Sequence, residues 1–333
     1  ARHAVLFQAG HGGWAIREIE TVDTFLFWFL LVLIAVATGL LWWVLPAPLA
    51  RAFLALERLR CGLRSKRAHG WHFLEGGKGE PLVLLHGFNA DAHHFCQASR
   101  WLRAHFRIIA PDIPGFGDTE LSERSSLRIE DRAREILDWL DRMGIRHFYL
   151  GGSSMGGYLS LAMAREAPDR VRALWLLAPG GLHSARHSAV FREVAEGRHN
   201  PLVVRNRADF LRLLDYCFVR PPWVPGPLQR FLVARGQRSS AQAERIFDAM
   251  RHDSEPVETL ARNLSVPALL IWGQADQVLH PDGATVVQTL LGDCESLILP
   301  AVGHLPMIEQ ARTCAEAWVA FTESRARATT PAE

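Results

Sequence analysis

The fold class written in this sequence is α/β, and three observations carry it. Beyond Gly70, short runs that are apolar on both faces alternate with stretches long enough for amphipathic helices, the pattern of a parallel sheet with helices packed on both sides. Residues 182–262 interrupt that rhythm without a clear strand, which reads as a helical insertion over the strand ends. Residues 24–45 contain no charge at all and precede everything else. A chain of 333 residues, 49% hydrophobic and 22% charged, suits one large domain or two ordinary ones and excludes disordered and low-complexity classes.

Taken in order, residues 1–23 form a flank and residues 24–45 (TFLFWFLLVLIAVATGLLWWVL) form the apolar run. As a helix the run would reach about 33 Å, enough for a hydrocarbon core of about 30 Å. Trp42 and Trp43 stand where an interfacial aromatic belt would, Pro46 and Pro48 end the run, and its length exceeds a signal-peptide core. A single-pass transmembrane helix is expected. Arg2 and Arg17 precede it, and Arg51, Arg58, Arg60, Arg64, Lys66 and Arg67 follow, so the positive-inside rule puts the downstream domain in the cytoplasm, as on a bacterial inner membrane. Residues 46–69 read as a basic amphipathic juxtamembrane segment, helical over 47–64. It lies either on the leaflet or against the soluble domain.

The sheet is predicted from residues 81–86, 107–112, 147–151, 173–178, 268–272 and 296–299. Helices are predicted over 128–143, 155–166 and 307–323; Ile129, Ala133, Ile136, Leu137 and Leu140 make one stripe on the first. The core is thus expected in two parts, 70–181 and 263–325, with a cap over 182–262 and a tail at 326–333.

A net charge of +2 gives no footprint for nucleic acid. The five cysteines are odd in number and form no C-x-x-C, so free thiols in a reducing compartment are expected, and no metal or cofactor. His93, His94, His183 and His187 lack neighbouring acidic ligands in sequence and read as surface or loop residues.

Gly152-Ser153-Ser154-Met155-Gly156 fits G-x-S-x-G, follows an apolar strand and opens a helix. That is the strand–turn–helix context of a nucleophile elbow, with Ser154 as nucleophile and Ser153 a bystander. A serine hydroxyl needs a base. In the chain order Ser, acid, His, the base is His304, after the last strand. The acid that orients it is Asp276, just past residues 268–272, with Asp282 as its rival. An oxyanion would be held by the N–H groups of Met155 and Phe88. Of the cap aromatics, Phe218, Trp223 and Phe231 are candidates to line an acyl channel, or they are simply cap core.

His86-Gly87-Phe88, Asp112-x-Pro114-Gly115-x-Gly117, the elbow at Ser154, Asp276 and His304 together resemble the α/β-hydrolase fold family over residues 70–323. The apolar N-terminal run and the Ser154-Met155-Gly156-Gly157 elbow resemble its membrane-anchored monoacylglycerol lipases and related bacterial lipases and esterases. The resemblance implies hydrolysis of lipid esters through an acyl-enzyme, with no cofactor. Serine at the elbow, where dehalogenases and epoxide hydrolases carry aspartate, implies acyl transfer to water. Two other readings fit the same residues: a hydrolase of small-molecule esters or carbon–carbon bonds, and an inactive membrane scaffold. The family's first two strands are not evident between residues 65 and 80, so the sheet is expected to be short at that edge.

Overall fold

The protein is described here from a computed structural model covering residues 6–9, 13–16 and 20–329. Side chains are described for residues 24–36, 38, 39 and 45–327. A two-stranded antiparallel sheet, β1 (Leu6–Ala9) and β2 (Gly13–Ile16), precedes helix α1 (Glu20–Val44) and helix α2 (Pro46–Cys61). Among the described residues no helix is long and apolar enough to cross a membrane. The run expected to span, 24–45, is described with its side chains only in part.

Helix α2 ends where Gly62 turns left-handed (φ 76°) and returns its N–H to Arg58 and Leu59. The chain then enters β3 (Leu63–Ala68), so the helix expected over 47–64 gives way to a strand. Ala50 and Cys61 are buried where α2 meets its neighbours, whereas Phe53, Leu56 and Leu59 remain exposed.

From β3 the chain forms β4 (Trp71–Gly77), β5 (Glu80–Leu85), α3 (Cys96–Leu102), β6 (Phe106–Pro111), α4 (Ile129–Arg142), β7 (Phe148–Ser153), α5 (Met155–Glu166) and β8 (Val171–Leu177). Four helices follow: α6 (Ala189–Ala195), α7 (Arg207–Cys217), α8 (Gly226–His252) and α9 (Val257–Leu260). The sheet resumes with β9 (Ala268–Gly273), α10 (Gly283–Leu290), β10 (Cys294–Leu299), α11 (Pro306–Glu309) and α12 (Ala311–Thr329). One helix was expected over 307–323; Gln310 (φ −130°, ψ 47°) breaks it in two.

The eight strands of the main sheet lie in the order β10-β9-β8-β7-β5-β6-β4-β3. All pair in parallel except β3 with β4 and β4 with β6. The sheet is therefore not short at its first edge, contrary to the sequence reading. Strand β3 escapes notice because its residues, LRSKRA, are mostly exposed, as an edge strand that must resist further pairing requires. The central strands are apolar throughout because both faces are covered. On β5, Val83 and Leu85 join the cluster beneath α4 and α5, and Leu82 and Leu84 join the cluster beneath α3 and α12.

The chain order reverses around β5: its successor β6 lies on one side and β7 on the other. Ligands of open α/β sheets bind at the carboxyl ends of the strands at such a reversal. The loops after β5 and β7 carry Phe88 and Ser154.

Candidate active site

Ser154 stands between β7 and α5 at φ 54°, ψ −115°, a conformation that L-residues avoid. The turn is sterically closed. A Cβ on Gly152 would lie 2.1 Å from the Gly156 carbonyl oxygen, and one on Gly156 would lie 1.9 Å from that of Leu85. Glycine is therefore required at both flanking positions of G-x-S-x-G. The Ser154 amide donates to Leu177 O (3.0 Å), and its carbonyl accepts from Gly180 N (2.9 Å) and Tyr158 N (3.1 Å). Ser153 points into the fold, fully buried, with no partner for its hydroxyl.

His304 follows β10 and lies against Asp276, which follows β9. Their Nδ1 and Oδ2 are 2.8 Å apart and both residues are buried. Trp272 Nε1 also donates to Oδ2 (3.1 Å), and the amides of Val278 and Leu279 donate to Oδ1 (2.8 and 2.9 Å). A carboxylate accepting this many bonds has Nδ1–H as its imidazole partner, which leaves His304 Nε2 as the basic nitrogen. The rival, Asp282, is half exposed and pairs with Arg186 Nε at 2.7 Å. No hydrogen bond joins Ser154 to His304 in this structure, a looseness common in unliganded sites.

The loop bearing His304 is tied to the helices inserted after β8. The His304 amide donates to Cys217 O (2.8 Å). The Glu309 carboxylate accepts from Gly303 N (2.7 Å) and Val219 N (3.0 Å). Sequence reasoning missed Glu309 and Trp272, because nothing in their spacing announces which backbone amide or carboxylate they will reach.

Phe88 sits on the loop after β5, close to the elbow: a Cβ on its neighbour Gly87 would meet Ser154 Cβ at 3.4 Å. Among the described residues the Phe88 amide has no acceptor, and Met155, as the first residue of α5, has an amide with no carbonyl one turn earlier. His86 shapes this loop. Its Nδ1–H donates to Gly87 O (2.7 Å), while Nε2 accepts from Ile113 N (2.9 Å), so the ring must be neutral. Burial lowers its pKa, outweighing the opposing field of Asp112. Asp112, in the Asp-x-Pro-Gly turn, accepts from Ala92 N (2.8 Å), Asp118 N (2.7 Å) and His72 Nδ1 (2.7 Å), joining that turn to the same region.

His93 and His94 lie, half-buried, on the turn after β5, and His93 has an acidic neighbour after all. Its Nδ1 lies 3.0 Å from Asp91 Oδ1, and Arg235 of α8 reaches Asp91 Oδ2 at 2.9 Å. Burial opposes the charge on each partner. The attraction between them outweighs it, raising His93 and holding Asp91 well below the usual carboxylate range. Arg58 Nη1 of α2 lies 3.3 Å from His93 Nε2, so α2 and α8 share this cluster beside the Phe88 loop. All five cysteines are free thiols.

A cavity of about 290 Å³ opens at Ser154, walled mainly by Phe88, Met155, Phe191, Leu202, Phe247 and Trp272. The proposed channel residues lie elsewhere. Trp223 is 82% exposed, Phe218 is packed in the core beneath α12, and Phe231 does not line the cavity. Each is apolar and lies in the inserted segment, but Phe218 and Trp223 fall on the connection between α7 and α8, a placement that sequence spacing did not reveal.

His94 offers a pH test. Burial, aided by the fields of His86 and His304, lowers its pKa from 6.5 to about 4. Because the unfolded chain binds this proton more readily, the fold keeps its stability above pH 6.5 and loses it as pH falls toward 4. The loss attributable to His94 is about 1.4 kcal/mol per pH unit within that window. Urea unfolding of wild type and His94→Gln across pH 4–7 is expected to show the wild type losing more stability on acidification, with the difference level above pH 6.5. Parallel curves would contradict the assignment.

The model of the α/β hydrolase fold matches residues 80–311. Lipase 1 of Psychrobacter immobilis is 28% identical over 73% of this chain and 77% of its own. Human monoacylglycerol lipase ABHD6 is 25% identical over 88% of this chain and 91% of its own. A crystal structure titled as a membrane phospholipase A, a bacterial virulence factor, superposes with a TM-score of 0.81 at 34% identity, covering 91% of this chain and 98% of that one. With its strained serine elbow, its buried imidazole–carboxylate pair and its matching sheet, the chain belongs to the α/β hydrolase fold family.

Proposed function

We propose that the protein is a membrane-anchored serine hydrolase of lipid carboxylic esters, acting on substrates of the monoacylglycerol kind. The observation that carries this reading is Ser154 on its elbow, opening onto an apolar chamber, with the buried His304–Asp276 pair after β10 and β9 at the same carboxyl ends of the sheet. In the proposed reaction His304 Nε2 takes the Ser154 proton as Oγ attacks the ester carbonyl. The amides of Phe88 and Met155 receive the oxyanion. The carbon–oxygen bond of the ester breaks, the alcohol leaves with the proton from His304, and the acyl group stays on Ser154. Water, deprotonated by His304, then releases the acid and restores the serine. Asp276 holds the ring and stabilises the imidazolium. No cofactor enters the cycle.

The cavity volume, near the lower limit of about 300 Å³ for small-molecule pockets, favours one acyl arm over several. The names of the relatives, lipases and a membrane phospholipase A, favour a lipid ester. Hydrolysis of esters from C2 to C18, including 1-monoacylglycerols, tests this. A preference for longer chains is expected, with Ser154→Ala abolishing activity and Asp276→Asn lowering kcat by about 10³–10⁴-fold. Activity confined to short esters would instead make the substrate a small soluble ester.

We further propose residues 24–45 as the anchor, with the hydrolase domain on the cytoplasmic face. The support is the uncharged run, its helical backbone in α1, the exposed side chains of Phe25, Trp28 and Ile34, and the excess of arginine downstream. The protein is expected to stay with membranes after alkaline washing, and protease added outside intact spheroplasts should leave the hydrolase domain uncut. Release by the wash would contradict the anchor, and cutting from outside would contradict the orientation.

A further inference from the structure

The mouth of the cavity has a charge that ester hydrolysis alone does not explain. No aspartate or glutamate is among the described residues lining it, whereas Arg186, Arg251, His183, His187 and His280 are. These come from three segments: the loop after β8, the last turn of α8 and the loop after β9. Arg186 is neutralised by Asp282, which also has His280 Nδ1 at 3.5 Å. Arg251 is different. The residue is half-buried, and its guanidinium lies over the rings of Phe191 (6.0 Å) and Phe247 (5.8 Å), both of which wall the cavity. Among the described residues it makes no ion pair or hydrogen bond. A guanidinium withdrawn in part from water, and without a counter-charge, is stabilised by an anion that can enter the same space. Cation–π contact with two rings holds the guanidinium at the cavity wall and leaves N–H groups to hydrogen-bond, as when arginine recognises phosphate or carboxylate oxygens.

We propose that Arg251 is a specificity-determining residue that binds an anionic group on the alcohol side of the substrate. On this account the protein favours acyl esters whose head group carries a phosphate over neutral esters with the same acyl chain. The proposal deepens the ester-hydrolase reading and rests on it. The ester carbonyl lies at Ser154, the head group at Arg251 and toward the rim at Arg186 and His183, and the acyl arm in the rest of the apolar chamber, beside Phe88 and Leu202. A last-turn arginine also suits the carbonyl end of its own helix. That structural role would affect all substrates alike, so the decisive quantity is a ratio within each variant.

The experiment compares kcat/KM for 1-acylglycerol and 1-acylglycerol 3-phosphate, with one acyl chain and in one nonionic detergent, for wild type, Arg251→Lys and Arg251→Met. The phosphate-bearing ester is expected to be favoured about tenfold or more by wild type. Arg251→Met should reduce that preference at least tenfold, chiefly through KM, with Arg251→Lys between them. An unchanged ratio in Arg251→Met, or no preference in wild type, would overturn the proposal. Calorimetric binding of both lipids to Ser154→Ala and to Ser154→Ala/Arg251→Met separates recognition from turnover. If wild type hydrolyses neither lipid while the Arg251-dependent binding difference persists, the ester-hydrolase reading fails and the anion site stands. If that difference is absent, the anion site fails. Inorganic phosphate competing as strongly as the phosphate lipid would assign the site to a free anion and overturn the substrate assignment.

Discussion

Ser154 is held in a backbone conformation that costs on the order of 1–3 kcal/mol, and the site is arranged around that constraint. The surrounding structure leaves the turn little alternative. β7 arrives between β5 and β8 with its hydrogen bonds already committed, and α5 leaves with its first turn against the end of β5. The chain must reverse within one residue, and only absent side chains at positions 152 and 156 allow it. The result is a hydroxyl lifted clear of the sheet above a helix N-terminus, where unpaired amides favour negative charge.

The other parts of the site stand on loops, and each loop is fastened by a buried polar group with a definite number of bonds to make. Neutral His86 links the loop after β5 to the one after β6. Asp112 gathers a second set of amides from the same neighbourhood. Glu309 fixes the His304 loop to the chain that leaves α7. The Asp91 cluster reaches further, since its partners come from α2 and α8. Arg58 of α2 stands against His93, where its field opposes the charge that Asp91 favours, and Arg235 of α8 pairs with Asp91 directly.

Much of this was legible in the sequence because it depended on local chemistry. The five inner strands β5 to β9 declared themselves by being apolar on both faces, and the edge strand β10 by its short apolar run. The elbow declared itself by glycines whose necessity the structure explains atom by atom, and Asp276 was favoured over Asp282 from its place just past β9. What was not legible depended on long-range placement. β3 was read as part of the basic juxtamembrane segment, because an edge strand has one neighbour and much solvent. The aromatics Phe218, Trp223 and Phe231 were proposed from their type, yet the chamber uses Phe191 of α6 and Phe247 of α8, whereas Phe218 and Trp223 lie on the connection between α7 and α8. His93 has its carboxylate two residues earlier, visible in sequence but without meaning until the loop folds the two together.

The central claim is that the backbone presents Ser154, and not its neighbour, to His304 as a nucleophile. Its most direct test is reaction with a fluorophosphonate followed by peptide mass spectrometry. A single adduct on Ser154, lost in His304→Ala, is the predicted result. An adduct on Ser153, or none in the folded protein, would contradict the account.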